Sequence, residues 1–138
     1  MLAAEGFVTF GVDLRLDAVA TAVERARARG RVVRGWCADL TTHPLPRERF
    51  ALVVVTRYLQ RDLFPALAAT LAPGGVLLYE TFTEGERALG RGPTSPDHLL
   101  KTGELRAAFA DFDVLSYEEV MEPDALARLA ARKPPVRL

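Results

Sequence analysis

The chain has little cysteine, no surplus charge of either sign and no long apolar run, and each shortage excludes a class of protein. Cys37 is the only cysteine, so an intrachain disulfide and a cluster of thiolate ligands are both excluded. Lys plus Arg and Asp plus Glu number 18 each, whereas a general nucleic-acid binder needs a basic excess. No segment approaches the roughly 18 continuous apolar residues of a membrane span, and neither a signal-peptide pattern nor a metal-ligand spacing is present. The sequence thus predicts a cytoplasmic protein with no metal, no nucleic-acid partner and no membrane partner.

Strand-like and helix-like runs alternate along the chain. The strand-like runs are 7–13, 31–39, 50–58, 76–82 and 112–120, and the helix-like runs are 17–29, 61–72 and 103–110. This alternation predicts a mostly parallel α/β sheet, and a length of 138 residues suits one domain over 1–138. The valines at 53–55 further predict a strand covered on both faces. The stretch 83–101, rich in glycine and proline, predicts a long loop or lid.

Polar residues stand where the strand-like runs end. They are Asp13, Asp39, the segment from Thr56 through Arg57 to Tyr58, and Glu80. In a parallel sheet, ligands bind beyond the carboxyl ends of the strands. A carboxylate at such an end can accept hydrogen bonds from both ribose hydroxyls of a nucleoside, and a second acid one strand over can accept from an adenine amino group. Each acid alone is weak evidence, because NAD-binding domains use the same device.

Four runs together carry a more specific resemblance. They are FGVDL at 10–14, CADL at 37–40, FALVVVTRYL at 50–59 and LAPGGVLLYETF at 71–82. In this combination the chain resembles the class I S-adenosylmethionine-dependent methyltransferases over nearly its whole length. It is most similar to small bacterial enzymes of the tellurite-resistance-like group, in which a YETF strand end precedes a loop rich in glycine and proline and a GEL…AF helix. The LAPGG turn is the most specific of these motifs.

The resemblance implies a fold, a cofactor and a set of contacts. The fold is an α/β, Rossmann-like methyltransferase sheet, mostly parallel with an antiparallel C-terminal strand pair, so 125–133 is expected to be a strand against its helical propensity. The cofactor is S-adenosylmethionine, with Asp13 on the ribose and Asp39 at the adenine amino group. The implied cofactor contacts are Asp13, Leu14, Asp39, Leu40, Thr56 and Arg57, and the implied substrate contacts are Tyr58, Tyr79 and Glu80.

No catalytic residue is implied. Methyl transfer from a sulfonium is an in-line displacement that depends mainly on position, and the acceptor pocket would be shaped by the lid at 83–101. His43 and His98 both lie in predicted loops; a general base is one interpretation of either histidine, and an ordinary loop residue is the other.

The sequence departs from the family at its start. The family begins with a strand and a glycine-rich turn that holds the methionine end of the cofactor, whereas residues 1–7 resemble the end of the first helix, so the first strand and most of the first helix are missing. A start site placed too far downstream would explain this. Alternatively, the second strand closes on the fourth, or another copy supplies the missing pairing. We therefore expect a homo-oligomer that binds the cofactor poorly.

Three functions remain open on the sequence alone. The leading one is a methyltransferase of a small molecule. A cofactor-free remnant with a structural or interaction role is the second, supported by the missing glycine-rich turn. An NAD-dependent oxidoreductase is the third, and both the LAPGG turn and the expected antiparallel strand pair oppose it.

Overall fold

The computed structural model describes residues 9–13, 16–30, 33–37, 40, 44–90 and 92–136. The chain divides into two compact units, Met1–Pro44 and Leu45–Leu138, and each is described by itself. A single domain over 1–138 and a homo-oligomer both stay predictions. Among the described residues, none of the helices combines the length and the apolar character that crossing a membrane requires.

The first unit contains a β-α-β arrangement. Strand β1 is Thr9–Asp13, helix α1 is Leu16–Ala28 and strand β2 is Val33–Cys37. The two strands are parallel, and Asp13 pairs with Cys37. Helix α1 ends as its sequence predicts, because Gly30 adopts a φ of 68° and its N–H donates to the carbonyl of Arg27 at 2.9 Å.

The second unit contains a mixed four-stranded sheet. Its strands are β3 (Phe50–Thr56), β4 (Leu71–Phe82), β5 (Asp113–Val120) and β6 (Leu126–Arg132), in the order β3-β4-β6-β5. Strand β3 is parallel to β4, and β6 is antiparallel to both β4 and β5. The predicted antiparallel C-terminal pair is therefore confirmed. Strand β6 overrides its helical propensity because it lies between two partner strands and buries alternate residues, including Leu129 and Ala131.

The Pro-Gly-Gly stretch lies within a strand. A 3₁₀ turn at Arg61–Leu63 leads into helix α2, Phe64–Thr70. The helix ends two residues earlier than predicted, because Leu71 already pairs with Phe50, and the pairing then shifts and resumes between Leu52 and Val76. Residues 73–75, which the sequence predicts as a turn, lie between Leu71 and Val76, where the pairing with β3 shifts. Gly74 has a φ of 79°, and its N–H donates to the carbonyl of Lys133 at 3.0 Å.

The two faces of the four-stranded sheet differ. Leu77, Tyr79 and Thr81 of β4 are buried on one face, where Tyr79 packs against Phe64 of α2 and Phe109 after α4, a helix spanning Glu104–Ala108. On the other face Val54 is 43% exposed. The prediction that the valine run is covered on both faces is therefore wrong, because β3 is an edge strand of this sheet and no helix among the described residues of the second unit covers that face.

Candidate functional site

In the first unit, the parallel pairing brings two strand ends together. Asp13 is the last residue of β1 and pairs with Cys37, the last residue of β2. Asp39 follows Cys37 after one residue. Leu14, Asp39 and His43 lie outside the described residues, whereas Leu40 is half-buried in a turn. The structure thus brings Asp13 to the same edge as the end of β2, and the contacts of both acids stay predictions.

In the second unit, the predicted residues lie where β3 and β4 end. Thr56 pairs with Glu80, and the N–H of Arg57 donates to the Glu80 carbonyl at 2.7 Å, one residue beyond β3. Arg57 has a φ of 52°. A residue with a Cβ pays about 1–2 kcal/mol to adopt this left-handed conformation, and such residues cluster at functional sites.

The Arg57 guanidinium extends across the end of β4. Its central carbon lies 5.2 Å from the ring centroid of Phe82, which is a cation–π contact. One of its nitrogens lies 3.7 Å from a carboxylate oxygen of Asp124, in the loop before β6. Arg57, Phe82 and Asp124 therefore form one cluster at the strand ends.

The two predicted tyrosines occupy different depths. Tyr79 is only 2% exposed, and its hydroxyl donates to the backbone carbonyl of Tyr58 at 2.6 Å. Burial raises the pKa of Tyr79 well above its ordinary value, so the hydroxyl stays a donor. The Tyr58 ring is exposed, and its hydroxyl donates to the amide oxygen of Gln60. The structure gives Tyr79 a supporting position beneath Tyr58 and leaves almost none of its ring as a surface for a ligand.

Glu80 points to the face of β4 opposite Tyr79. Its carboxylate accepts from Arg128 Nε at 3.2 Å, and Arg128 also donates to Glu118 at 3.1 Å. These ion pairs border a shallow concavity of about 540 Å³ on the open face of the sheet. Its lining includes Val54, Thr56, Leu78, Ser116 and Ala130. The pairs are exposed to solvent, so they stabilise the fold only weakly.

Both ends of the predicted lid are fixed to the sheet. Thr83 forms a parallel bridge with Leu100, and the N–H of Leu100 donates to the carbonyl of Phe82 at 3.0 Å. Between these ends lie helix α3, Gly85–Ala88, and a 3₁₀ turn at Pro96–His98. The lid stretch therefore begins and ends beside the end of β4.

A buried carboxylate that the sequence did not single out holds the lid. Glu86 in α3 is 1% exposed, and its carboxylate accepts from the N–H of Ala125 at 2.8 Å. Gly92, at a φ of 70°, lies against it, since a Cβ there would approach the Glu86 carboxylate to 2.6 Å. The glycine could have marked a close approach, but no local pattern indicates that Glu86 is its partner.

A second missed feature is a clamp between the 3₁₀ turn before α2 and the lid. Arg61 donates from Nε to Glu104 at 2.6 Å and from a terminal nitrogen to the same carboxylate at 3.0 Å. Its terminal nitrogens also donate to the carbonyls of Leu99 at 2.8 Å and Pro96 at 3.1 Å. The hydrogen bond from Arg61 holds the pKa of Glu104 below its usual value. The clamp joins positions 43 residues apart, so no local motif could reveal it.

Among the described residues, no group of three or more His, Cys, Asp and Glu side chains could hold a metal ion. In the second unit, the strand ends offer an exposed arginine and an anchored lid, which suits binding and positioning of a small polar molecule.

Comparison with known proteins identifies the fold of the chain. No family model matches the sequence, and no curated protein matches it. Among solved structures, the [4+2]-cyclase SpnF matches with a TM-score of 0.76 and 18% identity, over 98% of this chain and 69% of that chain. A SAM-dependent methyltransferase from Methanosarcina mazei matches with a TM-score of 0.74 and 16% identity, over 98% of this chain and 86% of that one. TehB from Haemophilus influenzae matches with a TM-score of 0.75 and 16% identity, over 96% of this chain and 52% of TehB. At these identities the likeness concerns the fold, and the chain has the α/β, Rossmann-like fold of the class I S-adenosylmethionine-dependent methyltransferases.

Proposed function

We propose that the chain is a S-adenosylmethionine-dependent methyltransferase domain that acts on a small molecule, of the tellurite-resistance-like group. The observation that carries the proposal is the parallel, in-register pairing of β1 with β2, which brings Asp13 to the same edge as the end of β2. Acids closing two neighbouring parallel strands suit a nucleoside, whose ribose hydroxyls and amino group both donate. The LAPGG stretch inside β4 adds support, because Gly74 has the positive φ that this motif is expected to need.

The residues present fit the nucleoside half of the cofactor best. Asp13 would hold the ribose, and Asp39, just beyond the paired Cys37, would meet the adenine amino group. Leu14 and Leu40 would lie beside the ring. Thr56 and Arg57 would border the methionine end. When bound, S-adenosylmethionine supplies an electrophilic methyl group on a sulfonium.

The contribution of the chain itself is positional. The acceptor would be bordered by Glu80 and by Tyr58, whose backbone carbonyl accepts a hydrogen bond from the Tyr79 hydroxyl. The lid, fixed by Glu86 and by the Arg61 clamp, would limit the access of water to the strand ends. An acceptor with a free lone pair needs no general base, so orientation alone can supply much of the acceleration.

Calorimetric titration with S-adenosylhomocysteine tests the proposal. We expect saturable binding. Replacing Asp13 with Asn should weaken this binding about tenfold or more, the effect of losing a charge-assisted hydrogen bond. Asp17→Asn, in the first turn of α1, is the matched control and should leave the affinity unchanged.

Two outcomes would contradict the proposal. One is the absence of saturable binding into the millimolar range, which would favour a cofactor-free role. The other is an equal effect of the two asparagine variants, which would show that Asp13 is not the ribose acceptor. Stronger, micromolar binding by the 138-residue chain would instead overturn only the expectation that this chain binds poorly.

A further inference from the structure

Two arginines lie four residues apart at the same edge of the sheet, and the structure uses them differently. All four hydrogen bonds of the Arg61 guanidinium go to Glu104 and to two lid carbonyls. Among the described residues, the Arg57 guanidinium donates no hydrogen bond. Its ion pair with Asp124, at 3.7 Å, is longer than a hydrogen bond. Arg61 is therefore a structural residue, while the donors of Arg57 are available to a ligand.

The Arg57 side chain is nevertheless held in place. Its backbone N–H is bonded to the Glu80 carbonyl, its φ is 52°, and its guanidinium lies 5.2 Å from the centroid of the Phe82 ring. A guanidinium stacked on an aromatic face keeps its edge donors free for a planar, two-oxygen acceptor. The side chain is also 58% exposed, so such an acceptor can reach it. This combination suits a carboxylate ligand.

We propose that Arg57 binds a carboxylate of the methyl acceptor, so that the acceptor is a small carboxylic acid. This inference rests on the proposed function. The guanidinium reaches from β3 across the end of β4 to Phe82, the residue immediately before the lid. Arg57 borders the methionine end of the cofactor in the proposed function, and its donors would turn toward the lid, where the acceptor would bind. Asp124 contributes one negative charge nearby. A singly charged carboxylate therefore suits the site better than a doubly charged phosphate.

Nuclear magnetic resonance can detect this binding without knowledge of the acceptor. Benzoate and inorganic phosphate are titrated into the full chain, and the arginine Nε–Hε signals are followed. The signal of Arg57 is identified by its loss in Arg57→Lys. The matched control is Arg106, whose guanidinium also lies over an aromatic ring, 6.0 Å from the centroid of Tyr117. We expect benzoate to shift the Arg57 signal saturably and to leave the Arg106 signal in place.

A second variant tests the competition that the geometry implies. Asp124→Asn removes the only described carboxylate paired with Arg57. The affinity for benzoate should then rise about two- to fivefold, the effect of releasing an exposed ion pair. An unchanged or weaker affinity would contradict a ligand that competes with Asp124.

The remaining outcomes separate this inference from the proposed function. Absence of saturation, or equal shifts at Arg57 and Arg106, would overturn the inference even if S-adenosylhomocysteine binds. Tighter binding of phosphate than of benzoate would overturn the carboxylate assignment. Competition between S-adenosylhomocysteine and benzoate would assign Arg57 to the amino-acid end of the cofactor and overturn its role toward the acceptor. If S-adenosylhomocysteine does not bind while benzoate does, the proposed function fails and the carboxylate site at Arg57 stands.

Discussion

Replacing Arg61 with methionine should loosen the lid while leaving the sheet intact. The substitution keeps an unbranched side chain of similar length and removes every donor of the clamp. Glu104 then keeps only its bond from the N–H of Lys101 among the described donors. The carbonyls of Pro96 and Leu99 lose their bonds from the guanidinium. The lid end at 96–100 would remain fixed by the burial of Leu99 and Leu100 and by backbone bonds such as the one from Leu100 to Phe82.

The expected loss follows from the number and exposure of these bonds. Hydrogen bonds to a charged group contribute about 1.5–3 kcal/mol when buried, and exposed ion pairs contribute about 0.2–1 kcal/mol. The side chains of Arg61 and Glu104 are 36% and 24% exposed, so the clamp lies between these limits. We expect Arg61→Met to lower the free energy of unfolding by about 2 kcal/mol at neutral pH. Glu104→Gln keeps the shape and should cost about half as much.

The pH dependence has a definite sign. The pKa of Glu104 is lowered in the folded chain, first by the hydrogen bond from Arg61. A depressed carboxyl pKa gives stability that is present above the unfolded value and is lost as the pH falls through the folded value. The difference between the wild type and Arg61→Met should therefore be full at neutral pH and should shrink below about pH 4. The Arg61 guanidinium has a raised pKa and stays charged throughout this range.

Urea unfolding followed by circular dichroism measures the loss, and amide hydrogen exchange at Leu100 measures the release of the lid. Arg87→Met is the matched control, because the described bond of Arg87 stays within the lid, from its Nε to the carbonyl of Thr94 at 3.2 Å. The clamp would be refuted by a loss below about 0.5 kcal/mol, the usual scatter of surface substitutions, together with unchanged exchange at Leu100. Equal losses in the two methionine variants would refute it as well.

Two further substitutions test other parts of the second unit. Gly74→Ala should lower the free energy of unfolding by about 1 kcal/mol through backbone strain alone, since its φ is 79° and nothing lies within 4 Å of the added carbon; Gly75→Ala should cost more, because its Cβ would meet a backbone oxygen at 2.8 Å. A lower urea midpoint for Gly74→Ala than for Gly75→Ala would contradict the close approach of backbone atoms to Gly75. Tyr79→Phe should cost about 1 kcal/mol by removing the hydrogen bond from its hydroxyl to the Tyr58 carbonyl, whereas Tyr117→Phe, which loses only an exposed bond, should cost less. Equal decreases in melting temperature in the two phenylalanine variants would contradict a supporting role for Tyr79.

The sequence predicted the order of elements because each strand and helix has its own local pattern. The alternation of β-branched runs with amphipathic helices predicted β1, α1, β2 and β3 in their observed places. Strand β6 could not be predicted from its local pattern, since the composition of 125–133 favours a helix. Only the family resemblance predicted that this segment pairs with a neighbouring strand. In the structure β6 pairs on both sides, and this pairing outweighs a few tenths of a kcal/mol of propensity at each residue.

The sequence misjudged features that depend on distant neighbours. The end of α2 was placed two residues late, because pairing of Leu71 with Phe50 begins before the Pro-Gly-Gly stretch. Burial of the valine run was overestimated, because an apolar strand shows its pattern whether or not a second layer covers it. The lid anchor at Glu86 depends on Ala125, 39 residues away along the chain. Each error concerns a contact between segments that no window of the sequence contains.

The same limit applies within the candidate site. Arg57 and Arg61 are identical in type and lie within one segment, and only Arg57 belonged to the run that carried the resemblance. Their chemical difference comes from the residues that meet them, since Glu104 and two carbonyls use the donors of Arg61 while Phe82 holds Arg57 and leaves its donors available. Strand ends can be located from the sequence because parallel topology puts them at one edge. Which charged group at that edge serves a ligand is decided by the folded environment, and in this chain the environment favours Arg57.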